Sequence, residues 1–320
     1  MSGATAKRIG ALALETATEA AWAQWARLGA SVVTDRAWHP RALVDPEALV
    51  LVSLAMAGAE RRLEDVLEGW AHEGARLLSV QRLRSLADRF SPEVKRRIGD
   101  FARYAVAAGD RRWTTLARPP SPGSTAPRGK PFGAIQLTAG PALMLRLRAG
   151  FGVGSKGDVL AFLLADGGRP RSVKQIVSAT AYTDRAVRTA VEEMARAGFV
   201  VQSTGRPTTY RAEPDPWARL LGSAPAGASV PAGGEEIAPW RSWASAYAFL
   251  VAVAEWAQQA QEAEWSAYVL GSRARSLVET QVEALTLAGL EAEVAGGRTR
   301  PAEELVPLLE RFREWVRSSL

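Results

Sequence analysis

SKGDVLAFLLADGGRPRSVKQIVSATAYTDRAVRTAVEEMARAGFVVQSTGRPTTYR, residues 155–211, holds three helical patterns in succession and then two β-rich runs around a turn. In the first pattern Ser155 stands as a cap and Val159, Leu160, Phe162, Leu163 and Leu164 form an apolar set, stopped by Gly167-Gly168-Arg169-Pro170. Ser172 caps the second, with Val173, Ile176 and Val177 inward and Lys174 and Gln175 outward. Ala181-Tyr182 makes a tight turn, and Thr183 caps the third helix. There Val187, Val191 and Met194 share a face with Ala190 and Ala195 alongside, opposite Asp184, Arg185, Arg188, Thr189 and Glu192. Gly198 supplies a left-handed stop. FVVQS and TTYRA then flank Thr204-Gly205-Arg206-Pro207, a hairpin signal with Arg206 at its tip.

That order is the layout of a winged helix-turn-helix, which places its third helix in the major groove of DNA. The stretch resembles winged helix transcriptional regulators of the MarR and ArsR kind. The resemblance rests on Ser172-Val173-Lys174-Gln175-Ile176, Tyr182-Thr183-Asp184-Arg185-Ala186-Val187-Arg188 and Met194-Ala195-Arg196-Ala197-Gly198-Phe199-Val200, and it covers residues 155–211 only. It implies a support helix, a recognition helix and the entry to a wing. Arg185, Arg188 and Thr189 are expected to read base edges, because guanidinium matches guanine and threonine tolerates several partners. Ser172, Lys174, Thr183, Thr208 and Tyr210 are expected on phosphates, with Arg206 probing the flank.

Outward from this stretch, two Pro- and Gly-rich segments read as linkers, 118–131 and 222–238. They divide the chain into an N-terminal helical domain (1–117), a winged domain (132–221) and a C-terminal, Trp-rich helical domain (239–320). The expected fold class is therefore mainly α, with a central winged module between helical domains. In the first domain Asp45-Pro46 opens a helix, and further starts fall near Glu60, Ser79 and Ser91-Pro92. Residues 61–90 could form a second, wingless helix-turn-helix with Gln81, Arg82 and Arg84 exposed. A dimerisation or docking bundle is the alternative. In the last domain the apolar run Ala244 to Ala254 suggests a wholly buried helix, in a bundle that could hold a small-molecule effector or a second subunit.

Charge is uneven. Residues 61–130 carry 15 basic and 8 acidic side chains, residues 151–220 carry 10 and 7, and residues 221–320 carry 8 and 13, within an overall +6. A polyanion would meet the middle of the chain.

Several chemistries are excluded or disfavoured. With no cysteine there are no disulfides or thiolate sites. The apolar runs are too short to span a bilayer, and no signal peptide opens the chain, so a soluble cytoplasmic protein is expected. Gly152-Val153-Gly154-Ser155-Lys156-Gly157 matches a dinucleotide fingerprint by letter, but a helical pattern precedes it and no acid follows at the right distance. Gly271-Ser272-Arg273 resembles a nucleotidyltransferase opening, yet no aspartate follows Asp215 to hold magnesium. His39 and His72, the two histidines, have no ligand or triad partners at suitable spacing, and Glu192-Glu193 and Glu303-Glu304 read as solvated helix faces. No enzyme, cofactor or metal is expected. The sequence thus points to a homodimeric, sequence-specific binder of double-stranded DNA that represses or regulates transcription. The alternatives are a protein-binding scaffold and a non-specific nucleic-acid accessory factor.

Overall fold

The computed structural model describes residues 3–30, 41–119, 132–223, 236–287 and 301–320, and within these the protein is mainly α-helical. The N-terminal part supplies α1 (Gly3–Leu28), α2 (Pro46–Met56), α3 (Arg62–Glu73), α4 (Val80–Ala87) and α5 (Pro92–Ala107). The middle supplies α6 (Leu143–Phe151), α7 (Ser155–Ala165), β1 (Arg171–Ser172), α8 (Val173–Thr180), α9 (Asp184–Arg196), β2 (Val201–Gln202), β3 (Thr209–Arg211) and α10 (Pro214–Leu221). The C-terminal part supplies α11 (Trp243–Glu262), α12 (Ala267–Thr280), α13 (Val282–Leu287) and α14 (Pro301–Ser319). Among the described residues no helix is long and apolar enough to cross a membrane. Most of both expected linkers, and His39, lie outside the described residues.

Short polar side chains start the helices where local chemistry demands. Asp45 caps α2 by accepting from the Ala48 amide, with Pro46 at the first helical position. Ser79 caps α4 through the Arg82 amide. Ser172 and Gln175 form a reciprocal capping box on α8, and Thr183 caps α9 through the Ala186 amide. Ser155 does not cap α7; it is the first helical residue after Gly154.

The N- and C-terminal helical parts share one apolar core, which differs from their expected separation into two domains. Helix α1 buries Ala6, Ala13, Ala17 and Ala20, and its most extensive partner is α11. At Gly10 a Cβ would come within 2.7 Å of the Ala257 Cβ, so small residues bring the two helices together. Trp25, Trp70 and Phe132 make a three-ring cluster with centroids 5.1–5.8 Å apart. At the other end Trp243 stacks on Tyr247, and Phe249, Phe312 and Trp315 close the core. The helix over the apolar run Ala244 to Ala254 is largely buried, as its composition requires.

A second core lies between α7, α8 and α9, with Val159, Leu163, Ile176, Val187, Val191 and Met194 inside. The strands form an antiparallel sheet in the order β1-β3-β2, pairing Ser172 with Thr209 and Gln202 with Tyr210. Ile237 and Ala238, expected in a linker, are buried against this core, and Trp240 donates its amide to the Ala165 carbonyl.

The two cores meet at a buried chain of charges. Asp45 accepts two bonds of 2.6 Å from the Arg82 guanidinium, which also donates to Glu47 at 2.6 Å. Arg148 donates to Glu47 at 2.6 and 3.0 Å, to Asp158 at 2.7 Å twice, and to the Leu77 carbonyl at 2.8 Å. Tyr182 donates its hydroxyl to Asp158 at 2.7 Å, and Arg82 Nε donates to the Thr180 carbonyl at 2.8 Å. Asp45, Glu47, Arg82, Arg148 and Asp158 are all at most 2 % exposed. Arg82, expected on the surface, is thus interior: the register of α4 puts it with Leu83, Leu86 and Ala87, and two carboxylates await it. Burial opposes the charge on Asp45, but the Arg82 guanidinium and its hydrogen bonds outweigh it and hold that carboxyl below its ordinary value.

Removing one partner strands the others in a low-dielectric interior. Arg148→Met is expected to lose about 3–5 kcal/mol of stability in denaturant unfolding; a loss below about 1 kcal/mol would show that the carboxylates find other partners. A depressed carboxyl contributes stability that is complete above its unfolded value of 3.8 and is lost as the pH falls through its lower folded value. Urea unfolding across that acid range should therefore show a pH-dependent increment that Asp45→Asn abolishes.

Candidate nucleic-acid interface

Helix α9 is strongly two-sided. Val187, Ala190, Val191 and Met194 are buried, while Asp184, Arg185, Arg188, Thr189, Glu192 and Arg196 are exposed. Among the described residues that outer face stays open, and the contacts of α9 with other helices run chiefly to α7 and α8. Its start is fixed from both sides. Thr180 is held through its carbonyl by Arg82, Ala181 takes a left-handed conformation (φ 57°) and packs on the larger core, and Tyr182 is anchored to Asp158. Burial, followed by the charge of Asp158, raises the Tyr182 hydroxyl far above its ordinary value, so it stays a donor.

The residues expected to contact DNA fall into three adjoining groups. Arg185, Arg188 and Thr189 lie on the exposed face of α9, below Thr183 at its start. Arg188 is tied to Asp184 at 3.2 Å, in a pair more than half exposed on both sides. Ser172 and Lys174 sit at the start of α8, and the pairing of Ser172 with Thr209 puts them beside Thr208 at the base of the hairpin. Lys174 is exposed, whereas the Ser172 hydroxyl is already engaged with Gln175. Arg206 is exposed at the tip.

Tyr210 does not join them. Its ring is 3 % exposed, as part of the smaller core, while Thr209 and Arg211 on either side are half-buried. Burial and the nearby Glu192 raise its hydroxyl from the ordinary value. The ring thus serves packing, and only the hydroxyl is left for an outside partner.

Sequence reasoning passed over Arg196, exposed in the last turn of α9, and Arg171, which β1 holds against Asp166 at 2.6 Å. It also missed the clamp at the start of α9. One signal was present: Asp158 sits within an otherwise apolar helical run, where an acid needs a cation or a donor. The Gly152 to Gly157 segment follows α6, not a strand, and Gly152 (φ 86°) serves as that helix's stop.

The C-terminal side of α9 carries different chemistry. Glu193 is paired with Lys156, and Glu192 is exposed on the outer face beside Arg196, so this end mixes acids with a base. Beyond the helix, Phe199 (53 % exposed), Val201 (43 %) and Leu220 (71 %) leave apolar surface open beside Trp217. Against this geometry, no family model, curated protein or solved structure matches the chain.

Proposed function

We propose that residues 155–211 are a winged helix-turn-helix of the MarR/ArsR-like kind and that the protein binds double-stranded DNA in a sequence-specific manner to regulate, and most simply to repress, transcription. The observation that carries this reading is the open face of α9: two arginines and a threonine on a helix packed by its other side and clamped at its start. Flanking it, Lys174 and Arg206 supply charge for the backbone on neighbouring elements. The Arg188–Asp184 pair is no obstacle. An exposed pair contributes about 0–1 kcal/mol, less than the roughly 1–3 kcal/mol of a bidentate guanine contact. On this reading the protein works in the cytoplasm as a homodimer that matches two half-sites.

The exposed Phe199, Val201 and Leu220 favour a second reading, in which the module docks on another protein. Duplex binding separates the two. After selection from random duplexes, Arg188→Ala is expected to lose about 1–3 kcal/mol on the selected site and to relax one base position. Lys174→Ala should weaken selected and random duplexes alike and reduce the salt slope by about 1. A parent protein that shifts no duplex even at low salt would sink the DNA reading and leave the docking module.

A further inference from the structure

The body adds a feature that the α9 face does not account for. Helix α4 reaches the turn that precedes α9 through one side chain and its cap. Arg82 reaches Thr180 from its inner face, and the Ser79 cap lies against Tyr182. The helical period that turns Arg82 and Leu86 inward turns Gln81, Arg84 and Ser85 outward, and all three are exposed. None of the three is acidic. Asp88, the acid next along that face, is held by Lys95 at 2.9 Å, whereas Arg84 forms no ion pair with a described residue.

We propose that the outer face of α4, centred on Arg84 with Gln81 and Ser85, is a second contact for DNA backbone phosphates, extending the duplex site beyond the end at which α9 begins. The inference rests on the DNA reading above. Its geometry follows from widths. A helix with its side chains is about 10–12 Å across, and the major groove is about 12 Å wide. With α4 joined to the turn before α9, its outer face would reach the phosphate ridge next to the groove that α9 enters. A guanidinium and an amide are donors suited to phosphate oxygen, and the Ser85 hydroxyl, which donates to the Gln81 carbonyl at 3.2 Å, could turn to join them. Because buried charges join α4 to the turn, this ridge moves with α9 as one piece and costs no separate ordering on binding.

The test uses the full-length protein and a duplex recovered by selection, with hydroxyl-radical footprints and affinities at several salt concentrations for the parent, Arg84→Ala and Arg84→Glu. Equal melting temperatures would confirm that these exposed substitutions leave the fold intact. Arg84→Ala is expected to weaken selected and random duplexes by the same factor, about 3–10-fold, and to reduce the salt slope by about 1. Arg84→Glu should weaken both further, and protection should disappear at phosphates on one flank while the base preference stays. If the parent binds and both variants keep its affinity and footprint, the ridge is wrong and the α9 reading stands. Tighter binding by Arg84→Ala overturns it too, by making α4 an obstruction. A parent that binds no duplex overturns both.

Discussion

Five buried charges give the two cores their most directional link, beside the packing of Ala181 on the larger core and the bond from the Trp243 indole to the Leu43 carbonyl. Asp45, Glu47 and Asp158 share Arg82 and Arg148, leaving one carboxylate in excess, and Tyr182 and the amides of Ala48 and Ser79 satisfy remaining lone pairs. Such a cluster is a poor source of net stability, since removing ions from water costs several kcal/mol each and apolar side chains of equal volume often do as well. Its distinctive contribution is direction. Apolar surfaces tolerate sliding, but a fork of guanidinium bonds between 2.6 and 3.0 Å tolerates one register. The body supplies Asp45, Glu47 and Arg82; the module supplies Asp158, Tyr182 and the Thr180 carbonyl; Arg148 on α6 joins the two. The angle at which α9 leaves the body is set there.

How much of this was legible depended on whether the signal was local. Caps were legible: Asp45, Ser79, Ser172 and Thr183 each bond an amide three residues on, and that bond needs nothing from elsewhere in the chain. So was the two-sided pattern of α9 and the hairpin after it, because periods of 3.6 and 2 are written along the chain. The two-residue β1 was not, since two residues show no alternation, and its pairing with β3 bridges nearly forty positions. The joining of N- and C-terminal helices was hidden for another reason. The contact face of α1 is alanine and glycine, weakly hydrophobic and easily read as neutral, and its fit to α11 lies in the 2.7 Å approach at Gly10.

Charge was the least legible property. Arg82 and Arg148 look like their neighbours Arg84, which is exposed, and Arg146, which is half-buried, and only the three-dimensional convergence of carboxylates tells them apart. Counting them as surface overstated the positive charge available to a partner in the middle of the chain. Tyr210 shows a related limit: its place in a β-rich run said nothing about which side its ring faced. What remains on the surface near α9 is smaller but better placed: Arg185, Arg188, Lys174 and Arg206 surround the helix start and hairpin, and the acids Glu192 and Glu193 lie toward its other end.

The turn into α9 shows what the clamp is for. Ala181 occupies the left-handed region, where a β-carbon costs about 1–2 kcal/mol that glycine would avoid. Glycine at this point would widen the conformations open to the turn and give up the packing of the Ala181 side chain on the larger core. The strained alanine persists because its neighbours on both sides are fixed, Thr180 by Arg82 and Tyr182 by Asp158. A flexible hinge would suit a module that searches for its orientation after binding. A strained and bonded turn suits one whose orientation relative to the body is settled beforehand.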